Sequence, residues 1–330
     1  MKWTTEVTLE KGLFLFSHAD SILLVGSCFA EHIGNRLTDH AFLTDVNPFG
    51  TLYNPSSVAM ALRRLMHPVP FTVADLFAAH GGYHSYAHHS RFSARTETEC
   101  LQQINRRLEG SSNHFRQATR LVVTFGTAFV YRLKRTGEVV ANCHKQPDAL
   151  FERERLTAEQ IVADWRLLLS ELQAWNPHLC VLFTVSPIRH WKDGAHGNQL
   201  SKATLLLAID QLCREFPGQT AYFPAYELVM DELRDYRFYA ADLLHPSEQA
   251  VDYIWQRFAE NWFSAETQQL AKACQSVKQA LAHRPFDPEN ELYRQFIVQT
   301  LLRIERIREK IPFFAMDEEK ELRNKYGIYD

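Results

Sequence analysis

The chain has 330 residues, 46% of them hydrophobic and 23% charged, with a formal net charge of −3. That is ample apolar material for one large core or two smaller ones, and neither the charge balance nor any basic run predicts a nucleic-acid or membrane partner. The opening residues, MKWTTEVTLEKGLF, are polar and charged and lack the apolar core of a secretory signal. No run of about 18 apolar residues predicts a membrane span. Six cysteines, at 28, 100, 143, 180, 213 and 274, form no CxxC pair. This is the usage of a reducing compartment, and the expected location is cytoplasmic.

Five short apolar runs read as strands: 21–26 (SILLVG), 41–46, 120–126 (RLVVTFG), 178–185 (HLCVLFTV) and 219–223. Most are apolar without interruption, as expected for strands covered on both faces. Between them lie helical patterns. Phe29, Ile33 and Leu37 repeat every four residues over 28–38, and Ile161, Trp165, Leu168, Leu169 and Leu172 share a face over 157–175. Leu205, Ile209 and Leu212 do the same over 198–215, and Pro246 opens a pattern over 246–262. The stretch 52–119 is too long for a single crossover. Helices are expected near 55–66, 72–79 and 96–109, with a histidine-rich loop at 80–92, the whole forming an insertion over the sheet.

From 264 the composition turns to Gln, Lys, Glu and Arg in two amphipathic stretches, 265–282 and 289–310, split by HRPFDPEN. We therefore expect a domain over 1–263 and a helical C-terminal extension over 264–330. That extension would dock on the core or on a second copy of the chain. Strand–helix alternation predicts an α/β fold with an open parallel sheet and helices on both faces.

In such a sheet ligands sit at the carboxyl ends of the strands. Those ends carry Gly26-Ser27-Cys28, NPFGTLYNP (47–55), FGTAFVY (125–131) followed by ANCHK (141–145), SPIRH (186–190) and ADLLHPSE (241–248). A hydroxyl or thiol at a helix start feels the dipole and the free N–H groups, which can also hold an oxyanion. Such a nucleophile needs a base, and the base an orienting acid. Asp242 and His245, three apart before a helix, supply that pair. Within the loop HGGYHSYAHHSRF, His80, His84 and His88 have metal-like spacing, but Gly81-Gly82 breaks a helix and no carboxylate or cysteine is close in sequence. No metal or cofactor is called for. A pocket wall that includes His89, or a solvated loop, are the competing readings.

GSCFA at 26–30, with NPFGTLYNP, ANCHK, SPIRH, SKA (201–203) and HPS (245–247) following in order, resembles the GSCFA domain family over roughly residues 20–260. That family is similar in layout to the SGNH/GDSL hydrolases, esterases and acyltransferases on a flavodoxin-like sheet. The resemblance implies a three-layer α/β/α fold with strand order 2-1-3-4-5. It also implies a nucleophile after strand one and the Asp242–His245 pair near the domain's end. Aligning Gly26 with the Gly of Gly-Asp-Ser makes Cys28 the nucleophile; a shift of one residue makes it Ser27. The third block, Gly126-Thr-Ala-Phe, lacks the family's oxyanion Asn, so Asn142 and the Gly50 N–H, with Gly126, are the substitutes. His144, Lys145, Arg189 and His190 would bind an anionic or sugar portion of the substrate. The expected function is hydrolysis or acyl transfer on a small-molecule or glycan ester or thioester, with the Cys28 thiol held below its free pKa by the helix start and His245. The alternative is a non-catalytic domain that holds a glycan or metabolite.

Overall fold

A computed structural model of the chain describes residues 4–283, 286–287 and 290–326. Strands β1 (Ser21–Gly26), β2 (Leu43–Val46), β3 (Arg120–Phe125), β4 (Cys180–Val185) and β5 (Thr220–Phe223) form one sheet in the order β2-β1-β3-β4-β5, every pair parallel. This is the flavodoxin-like arrangement the sequence predicted. Alternate residues go to opposite faces. Leu23, Val25, Leu121, Val123, Val181 and Phe183 join one apolar cluster, and Ile22, Leu24, Val122 and Leu182 the other. The first cluster is closed by helices α2 (Pro55–Met66), α3 (Glu97–Gln117), α4 (Ala158–Trp175) and α5 (Gly194–Glu215). The second is closed by α1 (Cys28–Asp39) and α6 (Glu248–Trp262). On α1 the four-residue repeat buries Phe29, Ile33 and Leu37 at 4% exposure or less. At ~1.5–3 kcal/mol per fully buried apolar side chain, that face anchors the helix start against β1.

The stretch 52–119 holds three surprises. Helices α2 and α3 lie in the layer against the sheet rather than above it. The helix expected at 72–79 is one 3-10 turn, Val73–Asp75, followed by a hairpin of Phe77–Ala79 with Gly82–His84. The Thr72–Asp75 capping box closes only that turn, and His80 (φ 48°) and Gly81 (φ 75°) then take the positive φ values of a tight two-residue hairpin turn. The helix expected at 96–109 continues to Gln117, because Ser111 and Ser112 bury on it, with Ser112 Oγ donating to Leu65 O at 2.6 Å. A further element had no forewarning. Between β3 and α4 the chain builds a small antiparallel sheet of Phe129–Leu133, Val139–Val140 and Phe151–Arg155, with its own apolar cluster of Leu133, Val140 and Phe151.

Beyond α6, helices α7 (Ala265–Ala282), α8 (Glu291–Arg308) and α9 (Asp317–Tyr326) pack mainly on one another around Cys274, Val277, Ile297, Leu301, Ile304 and Ile307. Ala271 joins the cluster under α1 and α6, and Lys278 Nζ reaches Thr38 O at 3.4 Å at the far end of α1. Residue 289, the expected start of the second stretch, and parts of its HRPFDPEN break lie outside the described residues. All six cysteines are unpaired. Among the described residues no helix is long and apolar enough to cross a membrane.

Candidate functional site

β2 and β3 leave β1 on opposite sides, which opens a crevice at the carboxyl end of β1. Gly26 ends that strand at φ 135°, and a Cβ there would lie 2.1 Å from Thr124 O, so the turn accepts only glycine. Its N–H donates to Asn47 Oδ1 at 2.9 Å, and its carbonyl accepts from Leu52 N at 2.8 Å, which ties down the loop after β2. Ser27 then caps α1. It is buried, its N–H donates to Thr124 O at 3.1 Å, and its Oγ accepts from Phe29 N at 3.3 Å. Cys28 is the first residue of the helix and is only partly buried.

Ser27 and Cys28 open on a cleft of about 580 Å³, and His245 lines the same cleft. His245 Nδ1 lies 2.5 Å from Asp242 Oδ2, while Asp242 Oδ1 accepts from Leu244 N and His245 N, both at 2.9 Å. Leu243 turns the loop at φ 59°. The two N–H donors and the imidazole hold the Asp242 carboxyl down at about 2. The thiol behaves otherwise than expected. Burial pushes Cys28 up and the Glu31 carboxylate adds to this, outweighing the pull of the helix-start N–H groups and of the Lys202 ammonium.

Behind Ser186, which lines the cleft, stands a residue to which the sequence assigned no role. Lys202 on α5 is 1% exposed, and its Nζ donates to Gly126 O and Ser186 O, both at 2.7 Å, just past the ends of β3 and β4. Its neighbour Ser201 accepts from Ala128 N at 2.8 Å and pairs with the Thr127 hydroxyl at 3.1 Å. Burial lowers the Lys202 amine to about 7. The SKA motif thus fastens α5 to the site. His190 has its ring edge-on to Tyr53, with centroids 5.5 Å apart, and burial with Lys202, Arg153 and His245 nearby lowers it to about 4.

One wall comes from the small antiparallel sheet and the turn after β4. It is lined by Phe129, Tyr131, Asn142, Cys143 and Lys145 together with Arg189, Trp191 and Lys192. Arg153 stacks 4.1 Å over Phe129 and pairs with Asp193, Lys192 Nζ meets Tyr131 Oη at 2.8 Å, and an Arg189 N–H donates to Leu243 O at 2.9 Å. The lining therefore carries four cations (Lys145, Arg153, Arg189, Lys192) against two carboxylates (Asp148, Asp193), in a chain whose net charge is −3.

Of the residues read from the sequence, Ser27, Cys28, Asn142, Lys145, Arg189, His190 and His245 meet here, with Asp242 behind His245. Four others do not serve as expected. The Gly50 N–H donates to Asn47 O at 2.8 Å, and the residue packs against His89 away from the cleft. The Gly126 N–H donates to Tyr53 O at 2.7 Å and cannot face an oxyanion. His144 is buried, with Nε2 2.9 Å from Ser85 O and its ring against His84 and Phe77. His89 caps the turn Ser90–Phe92. In the histidine-rich loop, His84 is occupied by Ser93 Oγ (2.7 Å) and Ala79 O (2.9 Å), and no group of three metal-ligating side chains occurs among the described residues. Besides Lys202, the sequence missed Tyr53 and Asn54, although both stand in the quoted NPFGTLYNP block.

None of the curated proteins compared with the chain matches it. The sequence model of the GSCFA family matches residues 21–258, and that of the GSCFA domain protein, C-terminal domain, matches residues 274–326. The chain belongs to the GSCFA family.

Proposed function

Starting from a GSCFA-family chain with a thiol and a carboxylate-backed imidazole on one cleft, we propose an acyl hydrolase or acyl transferase acting on an ester or thioester. The Cys28 thiol gives its proton to His245, and its sulfur forms the bond to the carbonyl carbon. The leaving alcohol or thiol takes that proton back as its bond to the acyl group breaks. Water or an acceptor hydroxyl then gives its proton to His245 as its oxygen bonds to the acyl carbon, the carbon–sulfur bond breaks, and the proton returns from His245 to the Cys28 sulfur. Asp242 fixes the ring with its Nδ1 proton inward and its Nε2 free for the exchange. The Cys28 N–H has no acceptor within the helix by its position, and together with the Asn142 amide it stabilises the oxyanion.

The observation that carries this reading is that Cys28 and His245 line one cleft, with Asp242 held against His245. Cys28 is preferred to Ser27 because Ser27 is buried and already caps the helix. The positive lining favours a substrate with an anionic portion. The test is probe labelling on the intact chain. Modification of Cys28 by iodoacetamide that is lost in His245→Ala supports the enzyme. Labelling of Ser27 by a fluorophosphonate moves the nucleophile by one residue, and labelling of neither residue removes the mechanism.

A second reading, a domain that binds an anionic metabolite or glycan without turning it over, has two observations in its favour. The thiol is raised by burial and the Gly126 N–H is committed to Tyr53 O. Under it, ligands bind equally well to wild type and to Cys28→Ala, and no acyl intermediate forms on either.

A further inference from the structure

The imidazole of His245 stands on a loop that holds itself together and is joined to little else. Tyr239 and Pro246 pair as its stem, and Ala240 N donates to His245 O at 2.8 Å. Leu243 N donates to Ala240 O at 2.9 Å, and Asp242 Oδ1 takes the N–H groups of Leu244 and His245. Among the described residues, none of 240–245 belongs to an apolar cluster. One described hydrogen bond joins this stretch to the rest of the chain: an Arg189 N–H donates to Leu243 O at 2.9 Å. Leu243 sits at φ 59°, with the residue 51% exposed. A leucine in the left-handed region is uncommon and persists where its surroundings fix it. Its exposed side chain supplies no packing that would do so.

Arg189 is built as a fixed post. It lies in the turn after β4, and the backbone on either side of it is pinned. Ile188 N donates to Ser186 Oγ at 3.3 Å, and His190 N donates to Asn198 Oδ1 of α5 at 3.0 Å. Ser186 N in turn donates to Phe125 O at 2.8 Å, which ties the turn to the end of β3. The guanidinium lies over two rings. The centre of Trp191, on its own turn, is 5.4 Å from Cζ, and that of Tyr239, at the stem of the loop, is 5.3 Å away. Its Nε is buried without a partner, so the head is packed in place rather than loose in solvent. A continuous run of contacts therefore leads from the sheet through Arg189 to the loop that carries His245.

We propose that Arg189 is the positioning residue for the general base: its hydrogen bond to Leu243 O holds the loop 239–246 against the strand ends and so keeps His245 on the cleft that Cys28 lines. The inference rests on the acyl-transfer reading for its purpose, but its first measurement is independent of that reading. Asp242 sets the ring within the loop; Arg189 sets the loop against the sheet. An arginine suits the task, because its planar head stacks on rings while its Nη atoms reach a carbonyl. A lysine does not suit it, because its nitrogen falls where the arginine Cζ stands, one bond short of Leu243 O. Binding an anion, by contrast, asks only for a cation at the cleft, and a lysine would keep it.

The experiment is hydrogen–deuterium exchange on the intact chain without substrate, read by mass spectrometry in wild type and Arg189→Lys. The variant keeps the charge and loses the bond to Leu243 O. Exchange in peptides covering 239–247 should quicken by about tenfold or more, while β4 and α6 exchange as in wild type. An unchanged loop in the folded variant overturns the proposal. Should the variant fail to fold, the wild type decides. Nitrogen-15 NMR should resolve separate Nη signals for Arg189, as a head held by a carbonyl gives, and a single averaged signal from free rotation overturns the proposal equally. Turnover of p-nitrophenyl acetate, a neutral ester, then reads the base. In Arg189→Lys kcat should fall about tenfold with KM little changed. A wild-type kcat in a variant with a loosened loop, or a raised KM alone, overturns the positioning role. A loosened loop in Arg189→Lys with no turnover by wild type on any ester would leave the clamp standing and remove the acyl-transfer reading instead.

Discussion

His245 Nδ1 lies 2.5 Å from Asp242 Oδ2, and the same carboxylate receives the backbone N–H groups of Leu244 and His245 at 2.9 Å. Asp242 thereby fixes both the loop that carries the ring and the ring's tautomer. Asp242→Asn keeps the size but lets the ring turn or take the other tautomer. Turnover of a simple aryl ester such as p-nitrophenyl acetate should fall by at least about 100-fold in His245→Ala, and by a comparable factor in Asp242→Asn. Because the Asp242 carboxyl is held at about 2, it stays ionised as pH falls well below its ordinary value near 4. The acid limb of the pH–rate profile in wild type should therefore not be that of Asp242. Turnover in Asp242→Asn equal to wild type would show that the carboxylate is idle.

Cys28 and Ser27 should separate by the kind of damage their loss causes. Cys28→Ala should lose turnover by several orders of magnitude with an almost unchanged melting temperature. Ser27→Ala removes a helix cap and should cost about 1 kcal/mol of stability, visible in urea unfolding, with turnover reduced but present. The reverse pattern would identify Ser27 as the attacking group.

Gly26→Ala asks for a Cβ 2.1 Å from Thr124 O at φ 135°. Relief requires β1 and β3 to part, so the variant should lose at least about 3 kcal/mol or fail to accumulate as folded protein. A melting temperature within a few degrees of wild type would mean that the turn is not as close-packed as described.

His88 predicts acid sensitivity of the fold. It is 2% exposed, its ring lies flat on Phe49 at 4.7 Å, and burial lowers it to about 3, with His144 and Arg64 nearby adding to the effect. Between its ordinary 6.5 and that value the unfolded chain binds a proton that the folded chain refuses. Stability therefore falls as pH drops through this window and levels off for this group below it. The loss is on the order of 5 kcal/mol. His88→Phe, measured by urea unfolding at pH 7 and pH 4, should shrink the difference between the two. An unchanged difference would move the acid sensitivity to other groups, His190 first among them.

The sheet was legible because most of its strands are covered on both faces and read as unbroken apolar runs, with helices that repeat at four. Only their ends shifted: β2 begins at Leu43 rather than 41 because Ala41, at φ 63°, still closes the end of α1. The small sheet over 129–155 was illegible for the opposite reason. Phe151–Arg155 reads FERER, of which Phe151 alone is buried, and a polar strand of five residues carries no apolar period. The site divides in the same way. Cys28 and the Asp242–His245 pair are local motifs, in which chemistry and spacing lie within a few residues. Gly50 and Gly126 misled because the sequence shows that an N–H exists but not which carbonyl takes it. Lys202 was quoted within SKA yet had no role, since its meaning comes from Gly126, 76 positions earlier, and Ser186, 16 positions earlier.

The excursion over 129–155 leaves and re-enters the core at one point, where Leu156 N donates to Ala128 O at 2.9 Å. Its strands pair with each other, and Leu133, Val140 and Phe151 form a cluster of their own, while Val130 is buried in the main core. Away from Val130, its side chains can therefore change without disturbing β3 before it or α4 after it. The floor of the cleft and its wall are thus free to evolve at different speeds. Nucleophile, base and buried lysine are locked to the sheet, while Phe129, Tyr131, Asn142 and Lys145 ride on a graftable insert. Exchanging this insert between two such chains should carry the choice of bound molecule with it and leave the chemistry behind.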